Sequence, residues 1–367
     1  MAIAFDLLHK DGSARVGKIT TPHGEFQTPA FMPVGTNATV KALTPQEIHS
    51  THSEIILGNA YHLYLRPGQD LVAKFGGLHE FMNWDGPILT DSGGFQVYSL
   101  APLRQISEEG VVFQSHIDGT KHQFTPESVM KLENDLGADI MMCFDECTPY
   151  PVTHEYAADS VDRTTRWAER CRQAHAREDQ ALFAIVQGGV FQDLREKSAR
   201  DLIPMDFPGY AIGGLMIGEK KEDTWTNCKT VCDILPKLKP RYLMGVGTPE
   251  DFLDGILRGV DMFDCVIPTR LARNGHFLTW DGRKSIKQAQ YREDENPVDA
   301  DCPCECCQNY SLAYLRHLFL AGEILASRLA TLHNITFFQN FMQRCREEIA
   351  SGNFEAFHRE WFAKKDF

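Results

Sequence analysis

From residue 30 onward the chain repeats one pattern. A short apolar run ends in small or polar residues, and a stretch with helical spacing follows. The runs are AFMPVGT (30–36), EIILGNAYH (54–62), PILTDSGGF (87–95), DIMMCFDEC (139–147), LFAIVQGG (182–189), YAIGGLMIGE (210–219), YLMGVG (242–247) and MFDCVIPTR (262–270). Their apolar residues are continuous rather than alternating, as in strands covered on both faces. Helical stretches fill most of the gaps. TPESVMKLENDLG and TPEDFLDGILRG each begin with a threonine cap and a proline at the first helical position. EYAADSVDRTTRWAERCRQAHARE is a long amphipathic helix candidate. Eight strand–helix units predict an α/β protein, a (β/α)8 TIM barrel. A doubly wound open sheet fits the same periodicity.

Three regions depart from the pattern. Residues 1–29 read as short strands with a Pro-His-Gly turn in VGKITTPHGEFQTP. The stretch YSLAPLRQISEEGVVFQSHIDGTKHQF, between the third and fourth runs, reads as an insertion with hairpin character. Residues 281–335 lose the rhythm and carry a cysteine cluster, and 336–367 are helical and rich in aromatics. The expected organisation is therefore a barrel with an N-terminal β-hairpin region over 1–280, an inserted zinc-binding subdomain over 281–335 and C-terminal helices packing on the barrel over 336–367.

Composition narrows the class. The start, MAIAFDLLHK, has no basic segment before an apolar core, and no apolar run reaches membrane-spanning length, so a cytoplasmic protein is expected with no membrane partner. A net charge of −13 opposes general nucleic-acid affinity. Between Val266 and Arg292, however, six basic residues (Arg270, Arg273, Arg283, Lys284, Lys287, Arg292) stand against Asp281 alone. That local excess is either a solvated face or a phosphate-binding one.

Four of the eleven cysteines fall within DCPCECC. Cys302, Cys304 and Cys307 make C-x-C-x2-C, with Cys306 a surplus thiol, so spacing alone does not choose three from four. Downstream histidines are His317, His333 and His358; His333 ends an apolar helical stretch that could return it to the cluster. A closed Cys3His set suits a structural zinc ion, with no position left for water. The other seven cysteines lie in apolar or helical stretches and read as buried thiols in a reducing compartment.

Barrel chemistry sits at the C-terminal ends of the strands. Those ends supply Asp91 and Ser92, Asp145 and Glu146, Gln187, Gly213 and Gly214, Gly245, and Asp264. A carboxylate is costly to bury without partners, so three aspartates after apolar strands ask for a reason. Each alone could cap a turn or a helix. Together they match glycosyl transfer, in which one carboxylate attacks the anomeric carbon and another moves protons at the leaving group. Asp145 and Gln187 could meet the edge of a flat heterocycle, the glycines could admit it to the backbone, and Phe95 or Met244 could stack on it. Spacing leaves N- and O-glycosyl chemistry both open.

LTDSGGFQVYSL (89–100), FDECTPYP (144–151), IVQGG (185–189), YAIGGL (210–215), YLMGVGTPED (242–251) and VDMFDCVIPTR (260–270) occur in that order, ahead of C-x-C-x2-C and a histidine 26 residues beyond Cys307. Over nearly its whole length the chain closely resembles the bacterial tRNA-guanine transglycosylase family. That resemblance implies exchange of the wobble guanine in tRNAs with a GUN anticodon (Asp, Asn, His and Tyr types) for 7-aminomethyl-7-deazaguanine, preQ1, on the route to queuosine. It implies Asp264 as the nucleophile that holds a covalent RNA intermediate, and Asp91 as the general acid/base. It implies that Asp145, Gln187, Gly214 and Leu215 line the base pocket between Phe95 and Met244. Arg270 and Arg273, with Thr269, match RNA-recognising positions. Cys302, Cys304, Cys307 and His333 match the ligands of one structural zinc per subunit. A homodimer contact is implied around Tyr310, Tyr314 and His317.

The chain also departs from the pattern. Met216 is bulkier than the residue expected at that position, which opens the shape of the pocket wall, whereas Ile217 and Cys147 favour the small bacterial base over queuine. Cys306 is an added thiol. A noncatalytic RNA-binding subunit of the same fold is the main rival, opposed by the presence of all three strand-end aspartates. A barrel carbohydrate hydrolase is the other, and it leaves the cysteine cluster and the basic segment without a use.

Overall fold

The computed structural model describes residues 2–99 and 104–364. The chain opens with an antiparallel meander, β1 (Ala4–Asp11), β2 (Ala14–Thr21) and β3 (Gly24–Thr28), turning between β2 and β3 at the expected Pro-His-Gly. It then enters the barrel with β4 (Ala30–Gly35), β5 (Ile56–Asn59) and β6 (Ile88–Asp91). A small antiparallel sheet follows, β7 (Arg104–Ile106), β8 (Val111–Gln114) and β9 (Lys121–Phe124). The expected insertion is therefore three-stranded; residues 100–103 at its start lie outside the described residues. The barrel resumes with β10 (Ile140–Met142), β11 (Ala181–Val186), β12 (Gly209–Ile212), β13 (Arg241–Leu243) and β14 (Met262–Cys265). All eight strands are parallel, and β14 closes on β4 through Met262–Ala30. The closed barrel, not the open sheet, is the fold.

The continuous apolar runs have a simple origin. Side chains alternate along a strand. One set, including Met32, Leu57, Leu89, Ile140, Phe183 and Met262, fills the barrel interior. The other, including Phe31, Ile56, Ile88, Met141, Ala184 and Phe263, lies under the surrounding helices. Neither set meets water, so neither is polar. The helices begin where their caps require. Pro126–Leu136 starts from Thr125, whose hydroxyl accepts from Ser128 N, and ends at Gly137 in the left-handed region. Pro249–Leu257 starts from Thr248 in the same way. The long amphipathic candidate is the helix His154–Ala174.

The N-terminal end of the barrel buries two hydrogen-bonded aspartates. Arg15, from β2, donates through Nε to Asp261 Oδ1 at 2.8 Å and through Nη2 to Oδ2, while Arg241 N donates to the same Oδ2 at 2.7 Å. Asp139 lies between His23 and His79, with Nδ1 and Nε2 at 2.8 and 3.2 Å from its two oxygens, and accepts from Ile88 N.

After the barrel comes a hairpin, β15 (His276–Thr279) and β16 (Gly282–Ser285). A second core then forms around Phe277, Ile286, Cys306, Leu312 and Leu315. One helix, Ile324–Ala350, continues from this core onto the barrel, so the expected division at 335 falls inside it. Its Phe338 meets Phe31 of β4 edge-on at 4.8 Å, and Gln339 donates to Phe31 O and Ser53 Oγ. The final described helix is Phe354–Ala363. Among the described residues no helix is long and apolar enough to cross a membrane.

Candidate active site

Strand alternation carries the inward register past the core to the mouth. Leu57 leads to Asn59, Leu89 to Asp91, Ile185 to Gln187, Tyr242 to Met244 and Met262 to Asp264. All five second members line one cavity of about 550 Å³, together with Phe95, Asp145, Gly214, Leu215 and Arg270. Every base-pocket residue expected from the sequence is therefore in one place, with both outer aspartates.

The three aspartates are held by donors that carry no charge. Asp91 Oδ1 accepts from Ala60 N at 3.1 Å and Gly93 N at 3.2 Å; Oδ2 accepts from Gln96 Nε2 at 2.7 Å and from Asn59 Nδ2. Burial nonetheless outweighs these bonds and pushes its pKa up to about 6, with the nearby Asp264 charge adding to the effect. Asp145 Oδ2 accepts from Gln187 Nε2 at 2.6 Å, with Ser92 Oγ 3.4 Å from Oδ1; burial again raises its pKa to about 6. Gln187 Oε1 is buried and takes no hydrogen bond among the described residues. Asp264 Oδ1 accepts from Tyr242 Oη at 2.6 Å and Gly245 N at 2.7 Å, whereas Oδ2 accepts none among the described residues. Burial raises its pKa against those two donors.

The walls are thin where a flat ligand would need room. A Cβ on Gly94 would lie 2.5 Å from Asp145 Oδ1, and one on Gly214 2.4 Å from Gln187 Oε1. Phe95, which lines the cavity, is 52% exposed. Cys147 also lines the cavity; burial pushes its thiol up to about 12, which keeps it neutral. Met216 and Ile217 complete one wall, their backbone N–H groups donating to the Glu219 carboxylate.

The helix Ile267–Arg273 starts directly after β14. Arg270 and Arg273 are exposed on it, and Arg270 reaches the cavity. Thr269 differs from expectation in placement. It is 3% exposed and its hydroxyl donates to Val266 O, so its side chain lies beneath that face and not on it.

The cysteine ambiguity resolves geometrically. His333 Nδ1 lies 3.7 Å from Cys302 Sγ, 3.7 Å from Cys304 Sγ and 3.2 Å from Cys307 Sγ, and the four ligand atoms lie within 4.8 Å of one another. Tetrahedral zinc with ordinary bond lengths puts sulfur and nitrogen about 3.6 Å apart, so the donor set fits such an ion. His333 Nε2 is 2.8 Å from Leu278 O, which fixes the ring and leaves Nδ1 for the metal. All four residues are buried, and Cys306, buried beside the three cysteines in the second core, is not part of the convergent group. His23, His79 and Asp139 also converge, but the two rings stack at 3.5 Å and 15°. An ion between them could not lie in both ring planes.

Sequence reasoning missed Asn59, Tyr242 and Arg195. Asn59 ends its strand as Asp91 does, so the strand-end rule would have found it. Tyr242 begins an apolar run and Arg195 sits in a charged helical stretch, QDLREKSARDL; neither had a signal.

A closed parallel barrel whose mouth gathers three aspartates and an amide, beside a separate Cys3His cluster able to hold a metal ion, defines a carboxylate-based barrel enzyme with an added cysteine-rich subdomain. A profile of the queuine tRNA-ribosyltransferase family matches residues 10–366, and the chain belongs to that family. It is 60% identical to the queuine tRNA-ribosyltransferase of Desulforamulus reducens, over 95% of this chain and 94% of that one. It is 56% identical to that of Pelotomaculum thermopropionicum over 99% of both chains, and 54% identical to that of Lysinibacillus sphaericus over 100% and 97%.

Proposed function

We propose that the protein is a tRNA-guanine transglycosylase that replaces the wobble guanine of GUN-anticodon tRNAs (Asp, Asn, His and Tyr types) with preQ1. The observation that carries this reading is Asp264: one oxygen is anchored by Tyr242 and Gly245, the other accepts no hydrogen bond among the described residues, and the residue lines a cavity shared with Asp91. The free Oδ2 attacks C1′ of the ribose. The C1′–N9 bond breaks, its electron pair goes to the base, and Asp91 supplies the proton to the leaving guanine. The incoming base then returns a proton to Asp91, its N9 attacks C1′, and Asp264 is released with the configuration retained. The guanine must leave its stack to reach the cavity.

Asp145 and Gln187 meet the base's hydrogen-bonding edge, Gly214 and Leu215 line its other edge, and Phe95 and Met244 cover its faces. The basic face carrying Arg270 and Arg273 holds the anticodon arm through its phosphates, while the negative remainder limits nonspecific RNA binding. Zinc is the ion we assign to Cys302, Cys304, Cys307 and His333, where it supplies cross-linking alone. The segments 1–280, 281–335 and 336–367 serve as catalytic barrel, RNA-side subdomain and supporting helices, the last two joined by the continuous helix Ile324–Ala350. Tyr310 and Tyr314, stacked at 5.5 Å with His317 beside them and Tyr314 40% exposed, are the surface we assign to a homodimer. Eleven free cysteines suit the cytoplasm.

The test is incorporation of labelled guanine into unmodified tRNA, competed by preQ1 and by queuine, with trapping of a denaturation-resistant protein–RNA adduct. Exchange with an adduct at Asp264 supports the reading. RNA binding without exchange supports the accessory-subunit alternative, and cleavage of glycosides without exchange supports the hydrolase.

A further inference from the structure

Arg195 is fully buried and makes no ion pair among the described residues. Its guanidinium serves four carbonyls instead. Nε donates to Gly189 O at 2.8 Å, Nη1 to Val186 O at 3.0 Å and Gly213 O at 2.6 Å, and Nη2 to Gly214 O at 3.0 Å. A buried cation without an acid is costly, so its placement asks for a reason.

The reason lies on the far side of two peptides. In a trans peptide the C=O and the following N–H point in opposite directions. With Gly213 O and Gly214 O both drawn to Arg195, the N–H groups of Gly214 and Leu215 face away from it. Both residues line the cavity, and neither N–H has a protein acceptor among the described residues. Gly214 stands between them at φ +62°. A left-handed residue there lets successive N–H groups face the same way and form a concave donor pair, the backbone arrangement that receives oxygen anions.

Resting on the base-exchange reading, we propose that Arg195 is a positioning residue. It holds the Gly214 and Leu215 N–H groups as a paired donor for the carbonyl oxygen of the bound base, and so governs which base is accepted rather than displacement at the ribose.

2-Aminopurine is a fluorescent purine that lacks that oxygen and the N1 proton beside it, so its titration into the full-length protein, and its displacement by guanine, give a preference whose change in a variant that keeps Asp145 reads the oxygen contact. Wild type is expected to favour guanine. Arg195→Lys is expected to shrink that preference by about tenfold or more and to raise the KM for guanine in tRNA exchange, with kcat changed less than KM. An unchanged preference, or a fall in kcat at unaltered KM, overturns the proposal. If Arg195→Lys does not fold, as judged by circular dichroism, a backbone ester replacing the Leu215 N–H removes one donor and leaves the arginine in place. The same loss of preference is expected there, and its absence overturns the proposal. A wild type that binds neither base instead overturns the base-exchange reading beneath it.

Discussion

The two ends of the barrel bury aspartates in opposite ways. At the N-terminal end Asp261 is paired with Arg15, and Asp139 sits between two histidines. Burial alone would raise the pKa of Asp139, but the donors His79, Ile88 and His23 together hold it below the ordinary value. At the mouth Asp91, Asp145 and Asp264 receive amides, a hydroxyl and a phenol, none of them cationic, and burial prevails in all three. A neutral donor orients a carboxylate without cancelling its charge. The difference separates carboxylates that hold a structure from carboxylates that can still attack or exchange a proton near neutral pH.

The largest expected effect is at the mouth. Asp264→Asn should lower base exchange by roughly 10⁴-fold or more and abolish the trapped RNA adduct, while the urea midpoint stays close to wild type. Asp91→Asn should cost about 10²–10⁴-fold in the same exchange assay. At the other end the sign of the trade reverses. Asp261→Asn leaves Arg15 buried without its acid and should destabilise the fold by about 3–5 kcal/mol in urea titration, with kcat per folded molecule retained. A loss of kcat there without a loss of stability would erase the distinction between the ends.

The smallest effect is in pH. On the proposed reading Asp145 must be ionised to accept from a base's N–H groups, and burial raises its pKa to about 6. Guanine affinity should therefore be full above pH 7 and fall about tenfold by pH 5. Asp145→Asn should flatten that dependence at a lower affinity, which separates it from Asp91. Asp139 works in the opposite direction. Its folded pKa lies below the unfolded one, so its stabilisation is complete above the ordinary aspartate range and is lost as pH falls through the folded value. Acid unfolding of Asp139→Asn should lose that component.

Much of this was legible from the chain alone. The barrel strands were visible because both of their faces are covered, and the mouth aspartates because each follows such a run. Caps at Thr125 and Thr248 marked two helix starts by local chemistry. What stayed hidden depends on distant partners. Arg195 looks like any charged helical residue until the carbonyls of Val186, Gly189, Gly213 and Gly214 surround it. Thr269 sits in a basic stretch, but a helix begins there and turns its side chain inward. The choice of Cys302, Cys304 and Cys307 over Cys306 needed the position of His333.

His333 and Asn334 are consecutive on one continuous helix. His333 faces the cysteines, and Asn334 donates to Pro268 O at 3.0 Å and His276 O at 3.0 Å. Pro268 lies four residues beyond Asp264 and just ahead of Arg270 and Arg273. The Cys3His group and the segment leaving Asp264 thus hang from a single rod. On the proposed reading, a chain stripped of its ion would keep a well-formed chamber for a free purine yet present a whole anticodon loop to it at the wrong slant, a failure of aim with the cutting edge intact.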